Sequence, residues 1–118
     1  MTYLEQEQQL QSEASGDLLA AFEKYYHEDV VMEEPSFGKT EGKQANRERE
    51  KSFAGMIKDF HGGGLKSISA NEEEATTATE SWMEATFQDG NRVKMEQVSI
   101  KKWEGDKVIH ERFYYNAG

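Results

Sequence analysis

The sequence predicts an α+β domain in which three helices precede most of an antiparallel sheet. In the first half, apolar residues recur with a helical period, as at Leu18, Phe22 and Tyr25. The second half alternates β-branched or aromatic residues with polar ones, and turn signals such as Asp89-Gly90 divide it. The 118 residues suffice for one modest core, so we expect a single domain over residues 1–118.

Composition excludes several classes of function. The net charge of −9 argues against binding to nucleic acid or to anionic membrane surfaces, because both need clustered Lys and Arg. The absence of cysteine excludes disulfides, a thiolate nucleophile and a cysteine zinc site. No apolar run reaches transmembrane length, and the segment from Met1 to Gln11 lacks the features of a signal peptide. We therefore expect a cytoplasmic protein.

Capping signals and apolar spacing mark the three helices. Thr2 and Glu5 have the spacing of a capping box, which opens a helix through about Ala14. Asp17 can cap a second helix that ends near His27-Glu28. A third helix is expected over about residues 43–60, with a charged, solvated first half. Its second half has an apolar stripe, and Gly62-Gly63-Gly64 should form its C-cap and the following turn. The stripe consists of Phe53, Met56, Ile57 and Phe60.

The strands follow from β-prone segments and turns. A first strand over residues 29–34 should stop at Pro35, and a short return strand should follow over residues 36–40. Four further strands are expected in hairpin order, over about residues 65–71, 75–87, 92–103 and 107–116.

The element order resembles that of the SnoaL-like group of the nuclear-transport-factor-2-like superfamily. Local patterns agree, namely Asp-Val-Val-x-x-x-Pro over residues 29–35 and Gly-Asp-Lys-Val-Ile…Tyr-Tyr-Asn over residues 105–116. The resemblance implies a cone-shaped α+β barrel, with the helices packed in a strongly curved, mainly antiparallel sheet around a blind pocket. The superfamily includes ketosteroid isomerases, epoxide hydrolases, polyketide cyclases and non-catalytic domains, so the fold does not choose the function.

The resemblance places three acids at pocket positions. Glu33 lies two residues before Pro35, a pocket-facing position in many members. Glu84 matches the acid of an Arg-x-Asp pair of epoxide hydrolases, but Trp82 replaces the arginine. Phe113 stands where those enzymes keep an aspartate, with Glu111 one pocket-facing step earlier. Epoxide hydrolysis by that route is therefore not expected.

Glu33, Glu84 and Glu111 are the candidate catalytic residues. Carboxylates crowded in an apolar wall have raised pKa values, which would make one of them a general base near neutral pH. In the opposite strand phase these acids would face solvent, where Glu84 could pair with Arg92. The candidate ligand-binding residues are Val31, Phe53, Ile57, Phe60, Trp82, Met95, Gln97, Phe113 and Tyr115.

These residues predict a pocket for a small hydrophobic molecule. One hypothesis is a cofactor-free isomerase, cyclase or lyase that uses a Glu base on a carbonyl substrate. The alternative is a non-catalytic small-ligand-binding or protein-interaction domain of the same fold. Neither a metal nor a cofactor is expected, since the three histidines lack metal-binding spacing and no dinucleotide fingerprint is present. Family members commonly form homodimers through the outer sheet face, here Val98, Ile100, Val108 and Tyr114.

Overall fold

The computed structural model describes residues 1–116 and has the expected α+β architecture, with three helices and a curved six-stranded sheet. The helices are α1 (Tyr3–Gly16), α2 (Leu18–Tyr25) and α3 (Lys43–Met56). The strands are β1 (Tyr26–Glu34), β2 (Gly38–Glu41), β3 (Ile57–Asn71), β4 (Thr76–Phe87), β5 (Arg92–Glu104) and β6 (Lys107–Tyr114).

The sheet has the order β2-β1-β6-β5-β4-β3. All neighbouring strands are antiparallel except β1 and β6, which run parallel. The hairpin between β4 and β5 turns at Gly90, and that between β5 and β6 turns at Gly105, both with positive φ. The last four strands thus form the meander that the sequence predicts.

Side-chain caps fix the first two helices. The Thr2 hydroxyl accepts a hydrogen bond from the Glu5 amide at 3.1 Å, and the Glu5 carboxylate accepts one from the Thr2 amide at 2.9 Å. Glu72, in the turn between β3 and β4, also accepts from the amides of Tyr3 and Leu4. Asp17 caps α2 through the amide of Ala20. The first two predicted caps are confirmed, and α1 is tied to the sheet.

The main core lies where α1 and α2 pack on β1, β5 and β6. Val30 and Val108 are fully buried there, so Val108 cannot belong to the outer sheet face as predicted. No helix in residues 1–116 is long and apolar enough to cross a membrane. The buried residues of this core cluster are Leu10, Ala21, Phe22, Tyr25, Tyr26, Val30, Met32, Trp103 and Val108.

The prediction for residues 57–64 is wrong. Helix α3 ends at Met56, Ile57 begins β3, and the three glycines lie inside that strand rather than in a turn. They permit close approach to β4, because a Cβ on Gly63 would lie 3.0 Å from the Trp82 carbonyl oxygen. A Cβ on Gly64 would lie 3.0 Å from Trp82 Nε1. The glycines therefore serve strand packing.

Candidate functional site

A cavity of about 320 Å³ lies between the helices and the concave side of the sheet. Its wall is mainly apolar, with contributions from α2, α3 and the strands of the meander. Six residues predicted to bind a ligand line it, whereas Val31, Ile57 and Phe60 lie outside. Phe60 is 63% exposed, because the predicted helical stripe is broken where β3 begins. The six are Phe53, Trp82, Met95, Gln97, Phe113 and Tyr115.

From Glu111 onward the last strand has the predicted phase, although Val108 at its start does not. Glu111, Phe113 and Tyr115 line the cavity, while Arg112 and Tyr114 are exposed on the other side. Both carboxylate oxygens of Glu111 accept hydrogen bonds from side-chain hydroxyl groups. Its carboxylate accepts from the Tyr26 and Ser99 hydroxyls, and it is only 3% exposed.

Glu111 also belongs to a buried ionic cluster, which we call the Glu7–Lys101–Glu111 triad. Lys101 Nζ lies 3.3 Å from Glu111 Oε2 and 3.3 Å from Glu7 Oε2. Thr77 donates to Glu7 at 2.7 Å and accepts from Trp103 Nε1 at 2.9 Å. The triad joins α1 to β5 and β6 at the bottom of the cavity.

The triad determines which neighbouring groups carry charge. Burial alone would lower the pKa of Lys101, but the Glu111 and Glu7 carboxylates raise it, so Lys101 remains an ammonium. Burial, and then the charge of Glu111, raise the pKa of Tyr26 well above its usual value. Tyr26 therefore remains a protonated donor to Glu111.

Glu50 on α3 is the cavity carboxyl whose proton affinity is suited to neutral pH. Burial first, and then the charge of Glu111, raise its pKa to about 7, with Arg49 opposing them. Within residues 1–116 no group hydrogen-bonds to its carboxyl. Arg49 instead bonds the Thr40 hydroxyl at 3.0 Å and lies 3.4 Å from the Glu34 carboxylate.

The position of Glu50 at the cavity depends on how the first turns of α3 are anchored. The buried Asn46, one turn earlier, donates from its amide to the carbonyl oxygens of Gly42 at 2.8 Å and Thr40 at 3.1 Å. These bonds fix α3 to the β1–β2 hairpin. Phe53, one turn after Glu50, continues the same helix face into the cavity.

The predicted pocket placement of Glu33 and Glu84 is wrong. Glu84 accepts from Arg92 Nε at 2.7 Å, and this bond lowers its pKa. Glu33 lies 2.6 Å from His110 Nε2, and this contact lowers its pKa. In both strands the side chains of the neighbouring positions face inward, as Met32 and Ala85 show by their burial. For Glu33 and Glu84 the observed strand phase is the opposite one, in which the acid points away from the cavity, whereas Glu111 keeps the predicted phase.

Sequence reasoning missed Glu50, Glu7 and Lys101. Glu50 was assigned to the solvated half of α3, although Asn46, Glu50 and Phe53 are spaced i, i+4 and i+7 on one helix face. Lys101 alternates with Ser99 and Trp103 on the inner face of β5. The helical spacing of Glu50 and the strand alternation of Lys101 are both visible in the sequence. Neither was used, because charged residues are rarely buried in a protein interior. In residues 1–116 no group of His, Asp and Glu side chains could hold a metal ion.

Comparison with known proteins agrees with this architecture. A family model described as the SnoaL-like domain matches residues 12–115. No curated protein gives a significant match to the sequence. Among solved structures, a SnoaL-like polyketide cyclase candidate from Mesorhizobium loti is 27% identical. It superposes with a TM-score of 0.86 over 98% of this chain and 100% of its own.

Two more distant structures share the fold. A polyketide cyclase candidate from Pseudomonas putida is 16% identical, with a TM-score of 0.79 over 99% of this chain and 93% of its own. An epoxide hydrolase from M. tuberculosis is 14% identical, with a TM-score of 0.75 over 97% of this chain and 82% of its own. Because the family model matches most of the chain, the chain belongs to the SnoaL-like domain family.

Proposed function

We propose that the chain is a cofactor-free isomerase, cyclase or lyase that removes a proton from a small hydrophobic carbonyl compound, with Glu50 as general base. The observation that carries this proposal is a carboxyl in a mainly apolar cavity to which residues 1–116 supply no hydrogen-bond partner. The volume of about 320 Å³ lies at the lower end of ligand pockets, which favours a small substrate.

Glu111 was the sequence-based candidate that does reach the cavity, but its bonding favours a different role. Three donors, Tyr26, Ser99 and Lys101, already occupy its carboxylate oxygens. Because these donors engage both of its oxygens, the Glu111 carboxylate is held in the protein network rather than left open toward a substrate. We therefore assign Glu111 the role of a fixed negative charge and Glu50 the proton transfer.

The proposed reaction begins when the Glu50 carboxylate takes a proton from the carbon next to the substrate carbonyl. The electron pair of the broken C–H bond moves to the carbonyl oxygen and forms an enolate. Ser81 and Gln97 are cross-strand neighbours that both line the cavity, and their hydroxyl and amide are available donors for the enolate oxygen. Protonated Glu50 can then return the proton to another carbon, which completes an isomerisation.

The proposal is tested by exchange of α-protons into deuterated water, followed by proton NMR on a panel of small hydrophobic ketones and 1,3-dicarbonyl compounds. The wild type should accelerate exchange of at least one compound. Glu50→Gln should reduce that rate by about 100-fold or more, the range of general-base catalysis. Glu84→Gln is the matched control, since Glu84 is bonded to Arg92 outside the cavity, and it should keep the wild-type rate.

A second candidate function is ligand binding without turnover. It is favoured by the triad, because a buried network whose members bond mainly to one another can serve to shape a pocket. Saturable binding of panel compounds, with no acceleration of exchange by the wild type, would support this function and overturn the catalytic one.

A further inference from the structure

We propose that Thr79 is a specificity-determining residue that binds a second oxygen of the ligand, and that the ligand is an amphiphilic carbonyl compound whose polar end enters the cavity first. The role of Ser81 and Gln97 toward the reacting carbonyl rests on the function proposed above. Binding by Thr79 does not depend on turnover, so it can be measured as an affinity.

Polarity along the inner face of β4 and β5 runs opposite to the usual pattern, in which apolar side chains occupy the most buried positions. Thr79 and Ser99 are 4% and 3% exposed, whereas the two methionines further along these strands are partly exposed. The buried end of the cavity is therefore suited to the polar part of a ligand. From that end outward, the cross-strand pairs that line the cavity are Thr79–Ser99, Ser81–Gln97 and Met83–Met95.

The open end of the cavity is apolar. Three exposed apolar side chains line it, Leu18 at 52%, Phe37 at 62% and Met56 at 40%. Met56 lies at the same end as the methionines of β4 and β5, because its carbonyl oxygen accepts from the Gln88 amide just after β4. An apolar group placed here would remove this surface from water, which is favourable. The apolar part of the ligand therefore belongs at the mouth.

The Thr79 hydroxyl is left open toward the cavity. Within residues 1–116 no group hydrogen-bonds to it, whereas Thr77, one inner position earlier, donates to Glu7 at 2.7 Å. In that part of the chain, Asn46 Oδ1 is the one fully enclosed side-chain polar atom without a partner. The Thr79 hydroxyl thus keeps accessible surface, and the cavity that the residue lines provides it. Because a buried hydroxyl without a hydrogen bond is costly, a ligand oxygen is a favourable partner.

The spacing of these polar groups defines the ligand. Inner positions two residues apart on a strand are separated by about 7 Å. Ser81 and Gln97, which also lack hydrogen-bond partners in residues 1–116, lie one such step from Thr79 toward the mouth. A ligand that bonds at both levels therefore has two oxygens at a comparable separation. A para-hydroxyphenyl ketone meets this condition, and its alkyl chain then points toward the apolar mouth.

The test compares the affinities of two probes, para-hydroxypropiophenone and para-methylpropiophenone, by NMR titration of the protein. The probes differ only in whether a hydroxyl or a methyl group occupies the para position. The wild type should bind the hydroxyl probe about 5- to 10-fold more tightly, the range expected for one hydrogen bond. Thr79→Val keeps the shape of the side chain but loses its hydroxyl, so it should remove this preference.

Three further variants complete the test. Thr79→Ser keeps a hydroxyl at this position and should retain the preference. Thr79→Ala is a second variant without the hydroxyl, should the valine variant fail to fold. Thr86→Val is the matched control, because Thr86 lies on the outer face of β4 with its hydroxyl 2.7 Å from His61 Nε2. It should bind both probes as the wild type does.

A Thr79→Val protein that keeps the full preference would overturn the proposal, and so would a wild type that binds both probes equally or binds neither. The affinities also separate this proposal from the proposed function. If the wild type exchanges α-protons of no compound while Thr79→Val loses the preference, the catalytic function fails and the role of Thr79 stands. If exchange occurs and Thr79→Val keeps the preference, the reverse holds.

Discussion

At the residue scale, the position of a glutamate decides what its carboxyl does. Glu84 is bonded by Arg92 and has a lowered pKa, whereas Glu50 lines the cavity without such a partner in residues 1–116 and has a pKa of about 7. Glu111 is buried but surrounded by donors. The sequence identified Glu111 correctly as a cavity residue because aromatic residues flank it on β6. For Glu50 the signal is weaker, because its immediate neighbours in the chain are charged and only its helical spacing from Asn46 and Phe53 places it on the inner face.

Thr77 provides a residue-scale prediction about the triad. Its buried hydroxyl links Trp103 to Glu7, so Thr77→Val should leave a Glu7 oxygen and the indole N–H without partners. We expect a loss of about 1–3 kcal/mol in the free energy of unfolding, measured with urea. Thr77→Ser keeps the hydroxyl and should lose less. A valine variant as stable as the wild type would contradict this role for the hydroxyl.

At the element scale, alternation predicted the phase of β6 correctly from Glu111 onward, but not the phase of β4. The inner face of β4 has Thr77, Thr79 and Ser81, while the apolar Trp82 lies in the alternate phase and still reaches the cavity. Apolar and polar residues therefore do not mark inside and outside on that strand. Strand phase depends on this contrast, so the sequence placed Glu84 on the wrong face. Because hydroxyl residues lie on the inner face of β4, this strand lacks the alternation of apolar and polar residues from which its phase was predicted.

Strand β3 yields a prediction about close packing. Gly63→Ala would place a Cβ 3.0 Å from the Trp82 backbone oxygen, so one of the two strands must shift. We expect a loss of on the order of 1–3 kcal/mol in unfolding free energy, measured with urea.

Gly55→Ala is the control for the β3 variant, because Gly55 lies in α3 with open space around its Cβ position. It should stabilise the protein by about 0.5–1 kcal/mol. Stabilisation of both variants would show that β3 does not need a glycine at position 63.

At the scale of the whole molecule, the raised pKa of Glu50 links stability to pH. The folded protein holds a proton on Glu50 up to about pH 7, whereas the unfolded chain releases it near pH 4.5. Stability should therefore fall as the pH rises through this range, by about 3 kcal/mol at about 1.4 kcal/mol per pKa unit.

Urea unfolding of wild type and Glu50→Gln across this range measures that contribution. The difference in unfolding free energy between the two proteins should move in favour of the variant between pH 4.5 and pH 8. Glu84→Gln should show no such trend between pH 6 and pH 8, since its lowered pKa keeps that carboxyl ionised there. A difference between wild type and Glu50→Gln that does not change with pH would contradict the raised pKa.

Dimerisation remains a prediction for the whole molecule. Val98 and Tyr114 are exposed cross-strand neighbours on β5 and β6, although buried Val108 is no longer part of the expected surface. Tyr114→Glu should weaken self-association in sedimentation equilibrium, because it places a charge in an apolar contact. Leu65→Glu, at an exposed apolar position on β3, should leave it unchanged. A wild type that is only monomeric at micromolar concentration would contradict the prediction.

Glu50 is the proposed proton acceptor of a reaction at this cavity. The pH profile of α-proton exchange, as kcat/KM, tests it most directly, because this ratio reports the pKa of the base in the free protein. We expect the rate to rise to a plateau with a midpoint of about pH 7, and we expect Glu50→Gln to remove this rise. A midpoint near pH 4.5, or a profile that survives Glu50→Gln, would contradict it.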